Sequence, residues 1–101
     1  MRAPLVAMAD GRTWLKLECL QPVGSYKVRG AVNALKSRLE SGGEIESIVT
    51  ASAGNFGQAI AWAAKAMSLP IVIHVPDHAA RVKVDNLRRL APRVVEHDFA
   101  T

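Results

Sequence analysis

Three short runs of aliphatic residues alternate with segments of helical periodicity, and this alternation most restricts what the chain can fold into. The runs are 47–51 (SIVTA), 71–75 (IVIHV) and 93–96 (RVVE). Between them, Phe56, Ile60, Ala63, Ala64 and Met67 share one face of a helix expected over 56–68. Ala80, Val84, Leu87 and Leu90 align on another, expected over 80–91, with Asp77 or His78 near its cap. A first helix is expected over 26–40, where Val28, Val32, Leu35 and Leu39 recur, with Ser25 as N-cap and Gly42-Gly43 as the stop. Residues 13–20 (TWLKLECL) alternate Trp14, Lys16 and Glu18 against Leu15, Leu17 and Cys19, so they read as a strand with one solvated face. Continuous apolar strands separated by helices predict an α/β architecture. The expectation is a three-layer parallel sheet with flanking helices, covered on both faces. Crossovers should be right-handed, with ligands beyond the carboxyl ends of the strands. Two loops leave strand ends there, 21–25 and 52–55.

Length and charge close off other readings. The chain has 101 residues, enough for one small domain. Its 13 basic and 9 acidic residues give +4, but only Arg88 and Arg89 adjoin and aromatics are few. Nucleic-acid binding is therefore not expected, whereas a mild positive field suits an anionic cofactor or substrate. One cysteine, Cys19, precludes an internal disulfide, fits a reducing cytoplasm, and is expected to be a small buried hydrophobe. The apolar run 3–9 is too short for a signal peptide, and 59–67 contains Lys65 and reads as helix, so no membrane segment is expected. Histidines 74, 78 and 97 fall on a strand, a cap and the tail. Their spacing matches no metal pattern, so no metal is expected and each reads as a packing or surface residue.

Both strand-end loops carry unusual chemistry. In Gly24-Ser25-Tyr26-Lys27-Val28-Arg29-Gly30, Lys27 opens a helix against the helix dipole. The two small residues before it let a flat ligand approach. Taken alone, a solvated lysine at a helix start is the better account of this segment. In Ser52-Ala53-Gly54-Asn55-Phe56-Gly57-Gln58, a strand passes through small residues into a helix, whose free N–H groups can hold a carboxylate or phosphate. An ordinary N-cap at Ser52 or Asn55 is the competing account. No dinucleotide or P-loop fingerprint is present.

Together the segments resemble the pyridoxal-phosphate enzymes of the tryptophan-synthase-β fold type (fold type II), and within them the serine/threonine dehydratase branch. Residues 15–31 (LKLECLQPVGSYKVRGA) resemble that family's cofactor-attachment segment, and Ser52-Ala53-Gly54-Asn55 its S-x-G-N substrate loop. Arg2-Ala3-Pro4-Leu5 resembles its opening R-T-P-L, while Pro76, Lys83 and 91–95 fit its following strand–helix–strand. Gln21-Pro22 and Lys27-Val28-Arg29-Gly30 favour the dehydratase and racemase side over cysteine-synthase-like relatives, and serine racemase shares these features.

The resemblance implies that Lys27 forms the Schiff base with pyridoxal 5′-phosphate and later moves the Cα proton. It implies that Tyr26 flanks the cofactor ring and that Asn55 hydrogen-bonds the cofactor's 3′ oxygen. Ser52, Ala53, Gly54 and Asn55 would hold the substrate carboxylate, with Gln58 nearby. The implied substrate is a hydroxy amino acid, serine or threonine, deaminated to a 2-oxo acid. Ala3 departs from the family's threonine, and Phe56 stands where dehydratases often have histidine. The family's glycine-rich phosphate loop and most of its larger domain have no counterpart here. The resemblance therefore implies an amino-terminal fragment: a cofactor-lysine segment at 13–42 and a small α/β domain at 44–101. Such a fragment should be poorly active alone and should either self-associate or pair with a complementing carboxy-terminal domain.

Overall fold

In the computed structural model, which describes residues 2–98, the chain runs β1 (Leu5–Ala7), β2 (Trp14–Lys16), α1 (Lys27–Glu40), β3 (Ile48–Ala51), α2 (Asn55–Ala66), β4 (Ile71–Pro76), α3 (Arg81–Leu90) and β5 (Arg93–His97). Residues 99–101 of the expected small domain lie outside the described residues. Strands β3, β4 and β5 form a parallel sheet in that order, pairing Ile48 with Ile71 and Val72 with Arg93 at the first positions. The expected α/β architecture is present.

The helices lie on one face of this sheet, not on both. Each crossover advances the sheet in the same direction, so right-handed connections place α2 and α3 side by side. Ile71, Ile73 and Val75 point toward them and are buried, whereas the alternating Val72, His74 and Pro76 are half-buried. On that second face Val49 is 67% exposed. The third layer is α1, which stacks on the outer side of α2.

That position explains the composition of α2. Covered by the sheet, by α3 and by α1, it buries Gly57, Ala59, Ile60, Ala61, Ala63 and Ala64. A helix enclosed on several sides carries apolar residues all round, and small ones let its neighbours approach. Phe56 does not belong to the buried set; it is 44% exposed at the first turn. From α1 come Val28, Ala31 and Leu35, and from α3 Val84 and Leu87, all in one continuous core. Leu39, expected on the α1 core face, is exposed.

Helix ends follow mostly from local chemistry. Gly42 at φ +82° ends α1, its N–H donating to the Leu39 carbonyl, as Gly42-Gly43 predicts. Ser68 ends α2 in the same left-handed region at φ +56°. Neither Asp77 nor His78 caps α3; Ala80 takes that position, and Asp77 and His78 pair with each other. Arg81 and Arg88 bind the two oxygens of Glu96 at 2.8 and 3.0 Å, tying α3 to β5.

The expected strand over 13–20 is shorter than its alternation suggests. It pairs antiparallel with β1 only over Trp14–Lys16. The ladder ends because Pro4 has no N–H; the Pro4 carbonyl accepts from Leu17 at 2.9 Å, and nothing further can pair. The chain then tightens into two 3-10 turns, Glu18–Leu20 and Pro22–Gly24. Cys19, expected to be buried, is exposed on the first of them. No helix among the described residues is long and apolar enough to cross a membrane.

Candidate active site

Lys27 is the first residue of α1, and the backbone before it is under tension. Val23 sits at φ 60°, ψ 12°, a left-handed conformation that a β-branched side chain resists, and Gly24 follows at φ +75°. Such a residue costs about 1–3 kcal/mol and persists only where its surroundings fix it. The buried Gln21 anchors the segment: its carbonyl accepts from Gly24 at 2.8 Å. No sequence signal marks Val23, since valine is not a turn former.

Glu18 braces the same segment from outside. Arg29 Nε donates to both its oxygens, at 2.8 and 3.1 Å, and Lys16 Nζ lies 3.7 Å away. Partial desolvation pushes the Glu18 carboxyl up, but the Arg29 hydrogen bond and charge, with Gln21 and Lys16, outweigh it and hold it below the usual range. The bridge joins the 3-10 turn before Lys27 to the helix after it. Period-two reading hid this contact, because it treated Glu18 as a strand residue facing water.

Ser25 does not cap α1. Tyr26 occupies the N-cap with no side-chain hydrogen bond, and the Ser25 hydroxyl is buried without a partner. A buried hydroxyl left this way costs about 1–3 kcal/mol. It lies two residues before Lys27.

The substrate-type loop is built around Ser52. Its Oγ accepts from the Gly54 N–H at 3.3 Å and the Gly57 N–H at 3.1 Å, so it closes the first turn of α2. The hydroxyl proton stays available to an external acceptor. Gly57 is the residue that sequence reading missed: a Cβ there would stand 2.2 Å from the Ser52 carbonyl oxygen. Only glycine lets α2 start this close to the end of β3. The Gly54 carbonyl receives the Gln58 N–H, while the Asn55 and Phe56 N–H groups remain without an acceptor among the described residues. Two open amides at a helix start form a natural seat for a carboxylate.

These two segments converge. An open depression of ≈ 440 Å³ is lined by Tyr26, Lys27, Arg29, Gly30, Ala31 and Phe56. Its size suits a small planar ligand. Lys27 presents an amine there, Tyr26 and Phe56 offer aromatic surface, and Gly30 leaves room. Asn55 adjoins Phe56 at the head of α2, and Ala53 packs into the core beneath. Gln58 points elsewhere: about 200° around α2 from Phe56, it lines a separate depression with Val23, Asn86, Arg89 and Leu90. The structure therefore brings Phe56, from the head of α2, to Tyr26 and Lys27; Ser52 and Asn55 do not line this depression, and Gln58 lines the other one. An amine-bearing, aromatic-walled depression, a nearby orphaned hydroxyl and two open amides form a donor set that fits a carbonyl-bearing aromatic cofactor.

The histidines are not all separate, as their spacing suggested. His74 and His97 meet on the open sheet face, while His78 stays on the surface beside Asp77. Among the described residues no three His, Cys, Asp or Glu side chains gather as a metal site.

Comparison with known proteins agrees with this geometry. Residues 2–100 match the family described as "Pyridoxal-phosphate dependent enzyme". Serine racemase of Arabidopsis thaliana is 42% identical over 87 residues, covering 85% of this chain and 26% of the relative. L-threonine ammonia-lyase of Thermotoga maritima is 36% identical over 91 residues, covering 90% and 22%. A solved pyridoxal 5′-phosphate-dependent aspartate racemase superposes with a TM-score of 0.83 at 34% identity, over 95% of this chain and 33% of that one. Threonine deaminase isoform 2 of Solanum lycopersicum superposes with a TM-score of 0.80 at 31% identity, over 97% and 28%. The chain thus spans about a quarter of the length of the curated relatives it matches. By its match over residues 2–100 and by its fold, the chain belongs to the family of pyridoxal-phosphate dependent enzymes of fold type II.

Proposed function

We propose that the chain contributes the cofactor lysine and the substrate-carboxylate seat of a serine/threonine dehydratase-type lyase. The observation that carries this reading is the meeting of Lys27 and the start of α2 at one depression, although 28 residues separate Lys27 from Asn55 in sequence. Lys27 Nζ would hold pyridoxal phosphate and would act as the base that takes the substrate's Cα proton. When bound, the cofactor supplies the electron sink that stabilises the resulting carbanion. The Asn55 and Phe56 amides and the Ser52 hydroxyl hold the substrate carboxylate, which fixes the Cα–H bond relative to Lys27. Tyr26 and Phe56 flank the ring and exclude water, and the Asn55 side chain donates to the ring oxygen. Loss of the β-hydroxyl and hydrolysis then give a 2-oxo acid and ammonia.

A second reading is racemisation, in which the proton returns to the opposite face of Cα. It draws support from the 42% identity to a serine racemase. Measured with L-serine, pyruvate and ammonia favour the lyase, and D-serine favours the racemase.

Both readings place the activity in an assembly larger than this chain. Leu5, Trp14 and Leu20 are each more than 60% exposed around the two-stranded ribbon, which gives a complementing carboxy-terminal domain or a second copy a surface to cover. The test of the site is borohydride reduction in the presence of pyridoxal phosphate, followed by peptide mapping, with and without a complementing domain. Label concentrated on Lys27 is expected. Label spread evenly over Lys16, Lys36, Lys65 and Lys83 would sink the assignment.

A further inference from the structure

The ribbon and the first turn of α1 carry a group of cations that the chemistry proposed for Lys27 does not use. Leu5 stands opposite Lys16 across β1 and β2, so their side chains share one face of the ribbon. Arg2 and Ala3 precede Leu5, and the Glu18–Arg29 bridge draws Arg29 to the same place. Together Arg2, Ala3, Leu5, Lys16 and Arg29 line an open depression of ≈ 390 Å³. Positive charge is in excess there. Glu18 lies 2.8 Å from Arg29 Nε and 3.7 Å from Lys16 Nζ, and Arg2 forms no ion pair among the described residues. The Glu18 contact uses the Nε of Arg29, so the two terminal nitrogens of its fork keep their N–H donors.

We propose that Arg2, Lys16 and Arg29 form a binding site for a small carboxylate that carries a short aliphatic chain. A guanidinium fork matches a carboxylate through two parallel N–H···O bonds, and an ammonium adds a point charge. The positive charge that Glu18 leaves uncompensated attracts an anion to the depression. Its walls narrow the choice. Ala3 is half-buried and Leu5 is 63% exposed, and both offer apolar surface to the hydrocarbon end of a ligand. Inorganic phosphate has no part that could cover them. The volume suits a small molecule. Arg29 also lines the Lys27 depression, so an occupant of this site is sensed at the first turn of α1. The site rests on charge and shape at the ribbon and stands whether or not Lys27 carries a cofactor.

The test is titration of the whole chain with butyrate at constant ionic strength, read from backbone amide NMR signals, with inorganic phosphate as the comparison anion. The expected result is saturable shifts at Ala3, Leu5 and Lys16 and at residues 27–30, with β4 unmoved. Arg2→Gln and Lys16→Gln should each weaken binding about threefold, while Lys83→Gln, on α3, should leave it unchanged. Arg2 and Lys16 are both exposed and outside the core, so these variants keep the fold. Shifts that grow without saturating, tighter binding of phosphate than of butyrate, or full affinity in both variants would overturn the proposal. Shifts confined to Asn55 and Phe56 would put the carboxylate at the start of α2 and overturn it as well.

Discussion

The two sheets of this chain differ in what supports them. In the parallel sheet, β4 lies between two partners and beneath two helices, and Ile73 and Val75 are fully buried. In the β1–β2 ribbon every residue is exposed, including Leu5, Trp14 and Leu15. A two-stranded ribbon with no covering layer is marginal in water. What holds it is local: the Asp10 carboxylate accepts from the Arg12 and Thr13 N–H groups at 2.9 Å and from the Thr13 hydroxyl at 2.6 Å. The α/β region is therefore stabilised by its own core, while the ribbon keeps its shape by turn chemistry and presents apolar surface. The geometry near Lys27 depends on both regions, because the Glu18–Arg29 bridge joins the 3-10 turn that leaves the ribbon to α1.

The strongest way to break the contrast is to empty the core. Leu87→Ala, at a fully buried position, should destabilise the chain by about 2–5 kcal/mol. Trp14→Ser on the ribbon should stay within about 0.5 kcal/mol in the same urea titration. A large loss from Trp14→Ser would show that the ribbon is covered in solution, by a second copy or by another segment.

Gly57→Ala comes next. Its methyl group would collide with the Ser52 carbonyl, and overpacking of this kind costs about 1–3 kcal/mol. It should also displace the α2 amides, so reductive labelling of Lys27 and stability should fall together. Ser52→Ala is milder, at about 0.5–2 kcal/mol, because it removes an acceptor for two amides without forcing a collision. Thermal denaturation monitored by circular dichroism ranks the two; a larger loss from Ser52→Ala would contradict the packing account of Gly57.

The smallest effect is the response of the ribbon to acid. The Thr13 hydroxyl hydrogen bond, and then the Arg12 and Thr13 amides, hold the Asp10 carboxyl below its usual range. A depressed carboxyl contributes stability that is complete above its unfolded value and is lost as pH falls through its folded one. Amide NMR signals of Gly11 to Trp14 should therefore shift toward disorder only below the normal aspartate range, while those of β4 persist. Asp10→Asn should bring the ribbon change to neutral pH. Simultaneous loss of both sheets in acid would mean that they form one cooperative unit.

Much of the α/β region was legible because its signals are local. Periodicity placed α1, α2 and α3 within two residues of their observed starts, and Gly42-Gly43 marked the end of α1. The Lys27 segment and the Ser52–Asn55 turn were readable for the same reason, since helix starts and small residues announce themselves in sequence. The strand over 13–20 was overextended because alternation does not reveal where a partner strand runs out, and here Pro4 ended it. Phe56 was assigned to the core because a single helix wheel cannot tell an enclosed helix from one with a free first turn.

The sequence by itself determined the order of the elements, their approximate ends, and the family to which the chain belongs, because each rests on neighbours in the chain. Tertiary structure alone decided what meets across it. It brought Phe56 to the Lys27 depression, turned Gln58 away, and forced glycine at position 57 against the Ser52 carbonyl. It also joined Glu18 to Arg29 and His74 to His97. These contacts depend on sheet order and crossover hand, which fix distances between residues that no spacing along the chain encodes.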